Sequence, residues 1–216
     1  MKIGAFLLRA SFLSFALLSA CSVMDNPVLK TMSHAVPSLG REENPGLNPH
    51  FRYLRVVVEG RVVYLALGNI DHGVKVWYSA MHEVLRLQNG RIAGVTGTAT
   101  EWRNVSIPDL PSWDTLAGSK KPYKWTRVRD VMPGYQYGIR DELVLHAIPT
   151  PKNSELKGWD PGSLAWFEED DVSRALPPAR YAVDLSDGKA VYGETCLSPD
   201  LCFSWQYWPV GKKGRG

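Results

Sequence analysis

Three places in the sequence bring carboxylates or imidazoles close together. Asp71 precedes His72, His82 precedes Glu83, and residues 168–171 form the run Glu-Glu-Asp-Asp. Neighbouring side chains of a strand point to opposite faces, so a general base and the group that orients it would not meet within such a pair. The first pair is followed by glycine and indicates a turn. The acidic run could supply the paired carboxylates of a glycoside hydrolase, but it is more typical of a solvated helix start.

Sequence motifs of the common enzyme classes are not found. There is no G-x-S-x-G, no H-E-x-x-H, no phosphate-binding loop and no dinucleotide fingerprint. We therefore predict a protein that is not an enzyme and that holds no metal. The formal net charge is +3 and no block of basic residues is present, so nothing indicates a nucleic-acid partner.

The tryptophan content is unusual, with eight in 216 residues. Indole rings on a sheet face can stack against sugar rings, whereas in a small β-domain they more often fill the core. Trp205 and Trp208 are the leading candidates for glycan contact, and Trp125 is a third. Arg127 and Arg129 alternate with Trp125, which indicates either cation–π packing or contact with an acidic sugar.

The N-terminal segment has the pattern of an export signal. Lys2 and Arg9 are followed by an uncharged, mostly apolar run that ends in small residues. The run is too short for a membrane-spanning helix, which needs about 20 apolar residues. The sequence Leu-Ser-Ala-Cys at 18–21 then resembles the bacterial lipoprotein box, in which the cysteine takes a diacylglycerol and becomes the mature N-terminus. In such lipoproteins a serine at the next position, here Ser22, implies the outer membrane of a Gram-negative cell.

The resemblance to lipoproteins predicts covalent lipid on Cys21 and no other cofactor. Each buried methylene of an acyl chain contributes about 0.8 kcal/mol, so two or three chains would hold the protein on a membrane. A plain secretory signal cleaved before Cys21 is the alternative. Export from the cytosol also favours a disulfide between Cys196 and Cys202, whose short loop would contribute about 2 kcal/mol.

Composition divides the chain into a signal peptide at 1–20, a lipid-anchored flexible linker at 21–50 and a single domain at 51–216. In the domain, short runs rich in valine and aromatic residues alternate with turn sequences such as Glu-Gly at 59–60 and Asn-Gly at 89–90. We predict an all-β, antiparallel domain of about ten short strands, either barrel-like or a half-barrel or sandwich, with one or two short helices.

The segments 111–117 and 170–176 are each expected to form about two helical turns, the second with acidic residues at its start. The ten strands are expected at 53–58, 61–67, 74–79, 83–87, 91–95, 123–131, 136–148, 180–185, 189–194 and 203–210. The first two of these strands are apolar at nearly every position, which predicts burial on both faces.

Two stretches carry a resemblance to a known family. Residues 73–97, GVKVWYSAMHEVLRLQNGRIAGVTG, and residues 181–200, YAVDLSDGKAVYGETCLSPD, resemble the GfcB/YjbF-type group 4 capsule polysaccharide lipoproteins. The resemblance implies an all-β, barrel-like domain on the periplasmic face of the outer membrane. It also implies a part in making or exporting capsule or extracellular polysaccharide alongside export proteins, and it transfers no catalytic residue. The pair Cys196 and Cys202 departs from the family pattern.

Three functions remain open from the sequence. The first is non-enzymatic binding of a glycan or a partner protein during polysaccharide assembly or export. The second is a lipid or lipoprotein carrier, which requires an apolar cavity in a curved β-sheet. The third is a polysaccharide-modifying enzyme, which requires a cleft with close carboxylates and a raised pKa.

Overall fold

A computed structural model describes residues 46–119 and 121–211. Within these stretches twelve β-strands pair in sequence order, each antiparallel to the next, and the last closes against the first. The strands are β1 Tyr53–Val58, β2 Arg61–Asp71, β3 Val74–Tyr78, β4 Val84–Gln88, β5 Arg91–Thr96, β6 Glu101–Ser106, β7 Tyr123–Met132, β8 Gln136–Ile148, β9 Ala165–Asp171, β10 Ala179–Asp184, β11 Lys189–Ser198 and β12 Leu201–Trp208. Helix α1, Trp113–Gly118, lies between β6 and β7, and a short 3-10 turn, Pro161–Ser163, precedes β9. The predicted all-β, antiparallel, barrel-like fold is confirmed.

Within the described residues the structure adds β6 and β9 to the ten predicted strands. The prediction of a helix at 170–176 is wrong, because β9 continues to Asp171. The prediction that the acidic run at 168–171 is a solvated helix start is wrong for the same reason. Glu169 and Asp171 face inward and are buried. Acidic residues are depleted in strands, so their alternation gave no strand signal. β6 pairs with β7 through a register shift and has Asn104 at a φ of 47°, which breaks its alternation.

Large side chains fill the interior of the barrel. Those that are buried there include Trp77, Trp102, Trp113, Phe167, Tyr181 and Trp205. Gly193 lies directly across from Trp205 in the pairing of β11 with β12. A Cβ atom on Gly193 would lie 2.6 Å from the indole nitrogen of Trp205, so only glycine leaves room for this ring.

The hairpin order gives the barrel two different ends. We call the end that holds the turns after odd-numbered strands the distal rim. The proximal rim holds the turns after even-numbered strands and the segment 46–52, so the chain before Gly46 joins the barrel there. α1 covers the proximal rim, with Ser112 as its N-cap and Trp113 buried. Trp113 Nε1 donates a hydrogen bond to the carbonyl of Asn89 at 3.0 Å.

The outer strap, defined here as residues 149–164, crosses the outer face of the barrel. The backbone of Lys157 exchanges two hydrogen bonds with the side-chain amide of Gln206, at 2.9 and 2.6 Å. Arg55 of β1 donates a hydrogen bond to the Glu155 carbonyl at 3.2 Å. The strap explains why β1 is buried on both faces, as predicted. The same expectation for β2 is wrong, because Val62 is exposed and Tyr64 and Ala66 are only half-buried on its outer face.

We expect Gly193→Ala to lower the free energy of unfolding by about 1–3 kcal/mol, because the added methyl group overpacks the core against Trp205. Urea unfolding followed by tryptophan fluorescence measures this change. Gly118→Ala is the matched control, because open space surrounds Gly118 and alanine favours a helix. Equal unfolding midpoints for the two variants would contradict the packing described for Trp205.

Candidate functional site

Within the described residues, five of the charged side chains buried in the barrel lie next to one another, and we call them the interior charge cluster. Its members are Arg91 of β5, Arg127 and Arg129 of β7, Asp141 of β8 and Glu169 of β9. Burying a charge is costly unless it is paired, so the contacts within the cluster decide what it can do.

Asp141 pairs with both arginines of β7. Arg127 Nε donates to Asp141 Oδ2 at 2.8 Å, and Arg129 binds both carboxylate oxygens, at 2.6 and 3.0 Å. Burial would raise the pKa of Asp141, but hydrogen bonds and charge from Arg129 and Arg127 outweigh it and hold the pKa below its usual value. Each guanidinium lies 4.3 Å from the ring centre of Trp102. Of the two alternatives for Arg127 and Arg129, the structure therefore shows cation–π packing.

Glu169 is the other carboxylate of the interior charge cluster. Its carboxylate accepts hydrogen bonds from Trp125 Nε1 at 3.0 Å and from the Tyr181 hydroxyl at 3.2 Å. Arg91 Nε is 3.9 Å away, and the Arg91 guanidinium lies 4.0 Å from the ring centre of Trp113. Burial raises the pKa of Glu169 and lowers the pKa of Arg91, which both favour the neutral forms.

A raised carboxyl pKa is one requirement of the enzyme alternative, and a narrow crevice leads toward this group. The crevice is lined in part by Trp102, Glu169, Asp171 and Pro177. Both carboxylates in it are already engaged by protein donors. Asp171 accepts hydrogen bonds from the backbone of Ser173 at 3.0 Å and of Ala175 at 3.1 Å, and so closes the turn after β9. The arrangement favours a structural role for both acids.

The three tryptophans predicted as glycan contacts lie in different environments. Trp205 is 1% exposed in the core and Trp125 is 7% exposed beside Glu169, so neither offers a ring face to a sugar in this structure. The core-filling alternative describes these two. Trp208 is half-buried on the outer face of β12, with its ring centre 6.1 Å from that of Tyr64. The structure does not bring the three rings together, and a glycan contact stays a prediction for Trp208.

Two of the three cysteines lie within the described residues. Cys196 and Cys202 are directly paired across β11 and β12 and form the predicted disulfide. Cys21 lies outside the described residues, as do the signal peptide and most of the linker, so lipidation stays a prediction. Among the described residues no helix is both long and apolar enough to span a membrane.

Sequence reasoning missed two exposed tyrosines at the distal rim. Tyr135 and Tyr137 are 73% and 65% exposed at the end of the β7–β8 hairpin. β8 pairs with β9 only from Leu143 onward, so the hairpin end extends past that pairing. Asp130 fixes the end of this hairpin, because its carboxylate accepts hydrogen bonds from Asn104 Nδ2 at 2.6 Å and from the Gly138 backbone at 2.8 Å. A Tyr-x-Tyr pattern directly after a Pro-Gly turn was the available signal.

One group of side chains has spacing that would suit a cation. His146, Glu168 and Asp170 lie on the outer face of β8 and β9, with ligand atoms within 4.8 Å of one another. Arg180 Nε already binds Glu168 at 2.9 Å and neutralises it. Arg180 thus already offsets the charge that Glu168 would offer to a cation.

The fold has a relative among solved structures. The chain is similar to the crystal structure of the hypothetical lipoprotein YmcC from Escherichia coli (K12), with 13% identity and a TM-score of 0.56 over 74% of this chain and 84% of that one. At this identity the likeness shows the fold alone. No protein-family model matches the sequence, and no curated protein matches it. The fold is thus that of a hypothetical lipoprotein, and membership of the capsule lipoprotein family stays a prediction.

We expect Asp141→Asn to lower the free energy of unfolding by about 3 kcal/mol at neutral pH, because it leaves two buried guanidinium groups without a carboxylate. The folded-state pKa of Asp141 lies below its unfolded value. Its contribution is therefore complete above the unfolded pKa and is lost as pH falls through the folded pKa. Urea unfolding across this acid range should show the difference between wild type and variant shrinking.

Asp187→Asn provides the control for this prediction. Asp187 pairs with Lys189 at 3.0 Å on the exposed surface, where such a pair contributes less than about 1 kcal/mol. An Asp141→Asn variant as stable as this control, or a difference that grows toward acid pH, would show that the cluster is not what holds these strands.

Proposed function

We propose that this chain is an outer-membrane lipoprotein that assists assembly or export of an extracellular polysaccharide. It acts by binding a glycan or a partner protein through the distal rim, without catalysis. The proposal joins the lipoprotein box at 18–21 with the resemblance of residues 73–97 and 181–200 to capsule lipoproteins. The similarity of fold to a hypothetical lipoprotein supports its coarser part.

The observation that carries the proposal is the position of the exposed tyrosines relative to the tether. The chain before Gly46 joins the proximal rim, whereas Tyr135 and Tyr137 project from the distal rim. A lipid anchor on Cys21 would therefore leave the two rings at the end of the barrel that lies away from the tether.

The chemistry of the hairpin suits a saccharide. Tyrosine offers an apolar ring for stacking and a hydroxyl for hydrogen bonding, and it loses little conformational freedom on binding. Arg140 lies exposed on the same hairpin and could pair with the carboxylate of an acidic sugar. These features favour an elongated, weakly acidic polymer over a compact apolar ligand at this site.

The packed interior weighs against a carrier that encloses a whole acyl chain. Trp77, Trp102, Trp113 and Trp205 occupy the space that such a chain would need. The carrier alternative is reduced to a smaller pocket at the distal rim, which is lined by aliphatic side chains.

We expect the double variant Tyr135→Ala, Tyr137→Ala to lose the rim contact. Two stacked rings contribute about 2 kcal/mol together, so affinity for the purified surface polymer should fall about 30-fold. Polymer binding and the amount of surface polysaccharide in a complemented deletion strain are the measurements. The matched variant Tyr135→Phe, Tyr137→Phe keeps the rings and should bind. Phe51→Ala, at the proximal rim, should also bind. Full binding by the double alanine variant would refute the rim assignment.

We expect Cys21→Ser to release the protein from the membrane and to abolish rescue of the deletion strain, because the thiol that would carry the lipid is gone. Fractionation with a carbonate wash, followed by immunoblotting, measures attachment. Retention of the variant on washed membranes would exclude the lipid anchor, and rescue by a released variant would exclude the need for it.

A further inference from the structure

The outer surface of four neighbouring strands, β12, β1, β2 and β3, carries a row of apolar side chains. Tyr53 of β1 pairs with Trp208 of β12 on one side and with Ala66 of β2 on the other. Ala66 pairs in turn with Tyr78 of β3, so the row is continuous across all four strands. Leu54, the neighbour of Tyr53, points into the core, which puts the row on the outside of the barrel.

Further apolar side chains extend this row. The ring centre of Phe51 lies 6.4 Å from that of Tyr53, and the ring centre of Tyr64 lies 6.1 Å from that of Trp208. Val62 is the next outward residue of β2 beyond Tyr64. Phe51 and Val62 are 50% and 40% exposed. We call this surface the aromatic face, and it comprises Phe51, Val62, Tyr64, Ala66, Tyr78 and Trp208.

The outer strap borders the aromatic face without covering it. The strap contacts Gln206 of β12 and Arg55 of β1, and both lie one outward position beyond the row of paired residues. On the other flank, the ring of Tyr78 rests on Gly68 of β2, where a Cβ atom would lie 2.3 Å from it. The rings are therefore held against the sheet while the face stays open.

The opposite side of the barrel is charged. In the closed order of the twelve described strands, β7 and β8 lie six strands from β1 and β2 in either direction. The outer surface of β7 and β8 carries exposed Lys124, Arg140 and Glu142, whereas their neighbours Trp125 and Asp141 are buried inside. The barrel is thus apolar on one side and charged on the other, which is the distribution that favours binding in a membrane interface.

We propose that the aromatic face rests on a lipid bilayer, with its rings at the level of the headgroups. The position of the tether selects this occupant, and to that extent the inference rests on the lipid anchor of the proposed function. Residues 46–50 lead directly into Phe51, so an anchor on Cys21 would hold this side of the barrel near the membrane. A tethered contact is intramolecular, so a weak surface affinity is enough to orient the domain. Tyrosine and tryptophan suit this depth because each has an apolar body and a polar tip.

This orientation places the exposed tyrosines away from the bilayer. Tyr135 and Tyr137 lie on the β7–β8 hairpin, on the opposite side of the barrel from β1 and β2. A barrel that lies on the aromatic face therefore presents this hairpin to a partner in the aqueous phase.

The first test uses the mature, lipidated protein in vesicles of phosphatidylethanolamine and phosphatidylglycerol that contain headgroup-labelled nitroxide lipid. A fluorophore is attached to Val62→Cys or to Lys124→Cys, since Cys196 and Cys202 are joined in a disulfide. The fluorophore at 62 should be quenched, and the one at 124 should not. Val62 lies near the distal rim and Lys124 near the proximal rim, so a barrel standing on its proximal rim would give the reverse. That reverse result, or equal quenching, would overturn the proposal.

The second test separates the aromatic face from the anchor. The mature chain with Cys21→Ser carries no lipid, and it should still co-sediment with the same vesicles at high lipid concentration. Adding Phe51→Ser and Val62→Ser should lower its partition coefficient about tenfold, because apolar area is lost from the contact. Val172→Ser with Leu185→Ser is the matched control, since both are exposed aliphatic residues outside the face, and it should stay within about twofold.

The outcomes of the second test distinguish the two ideas. Vesicle binding that depends on Phe51 and Val62 supports the face even if the protein in cells carries no lipid. No binding to vesicles, or an equal loss in the face variant and the control, would refute the face even if Cys21 is lipidated. Protection of the fluorophore at 62 by the purified surface polymer, without vesicles, would assign the face to a glycan and overturn the membrane contact.

Discussion

Filling the interior of a closed barrel is the constraint on which the rest of this structure depends. An eight-stranded barrel is just wide enough for ordinary side chains to fill, and the twelve strands counted in the described part of the chain enclose more space. Indole rings and guanidinium groups supply the volume here. Trp102 lies against Arg127 and Arg129, Trp113 lies against Arg91, and Gly193 makes room for the largest ring near β12.

The choice of arginine as filler imposes further requirements. Buried guanidinium groups need carboxylates, so β8 and β9 direct Asp141 and Glu169 inward. α1 must then close the proximal rim, because Trp113 is the ring that covers Arg91. The charges of the interior charge cluster thus lie against rings or opposite charges of the protein itself. The exposed ring of Tyr135 lies at the distal rim, outside this packed interior.

The sequence indicated the local geometry well and the interior poorly. The turns at 59–60 and 89–90 could be predicted from local sequence alone, because both central residues of such a turn need a positive φ. All four residues have a positive φ in the structure. β9 could not be predicted, since one of its inward acids, Glu169, lies beside Arg91 of a strand far away in sequence. The alternation of Phe203, Trp205 and Tyr207 with Ser204 and Gln206 was the available signal for Trp205 in the core. Trp208 follows Tyr207 directly, so two large rings on opposite faces left its own side unassigned.

The barrel is closed and packed, and its last strand is held as firmly as its first. Amide hydrogen exchange in the native state tests it most directly, because β1 and β12 are joined only by pairing between the two ends of the domain. We expect the paired amides of Val56 and Trp205 to exchange only through global unfolding, with the same free energy as those of β10 and β11. Exchange of β12 amides at far lower free energy, while β10 stays protected, would contradict closure and with it the packed interior.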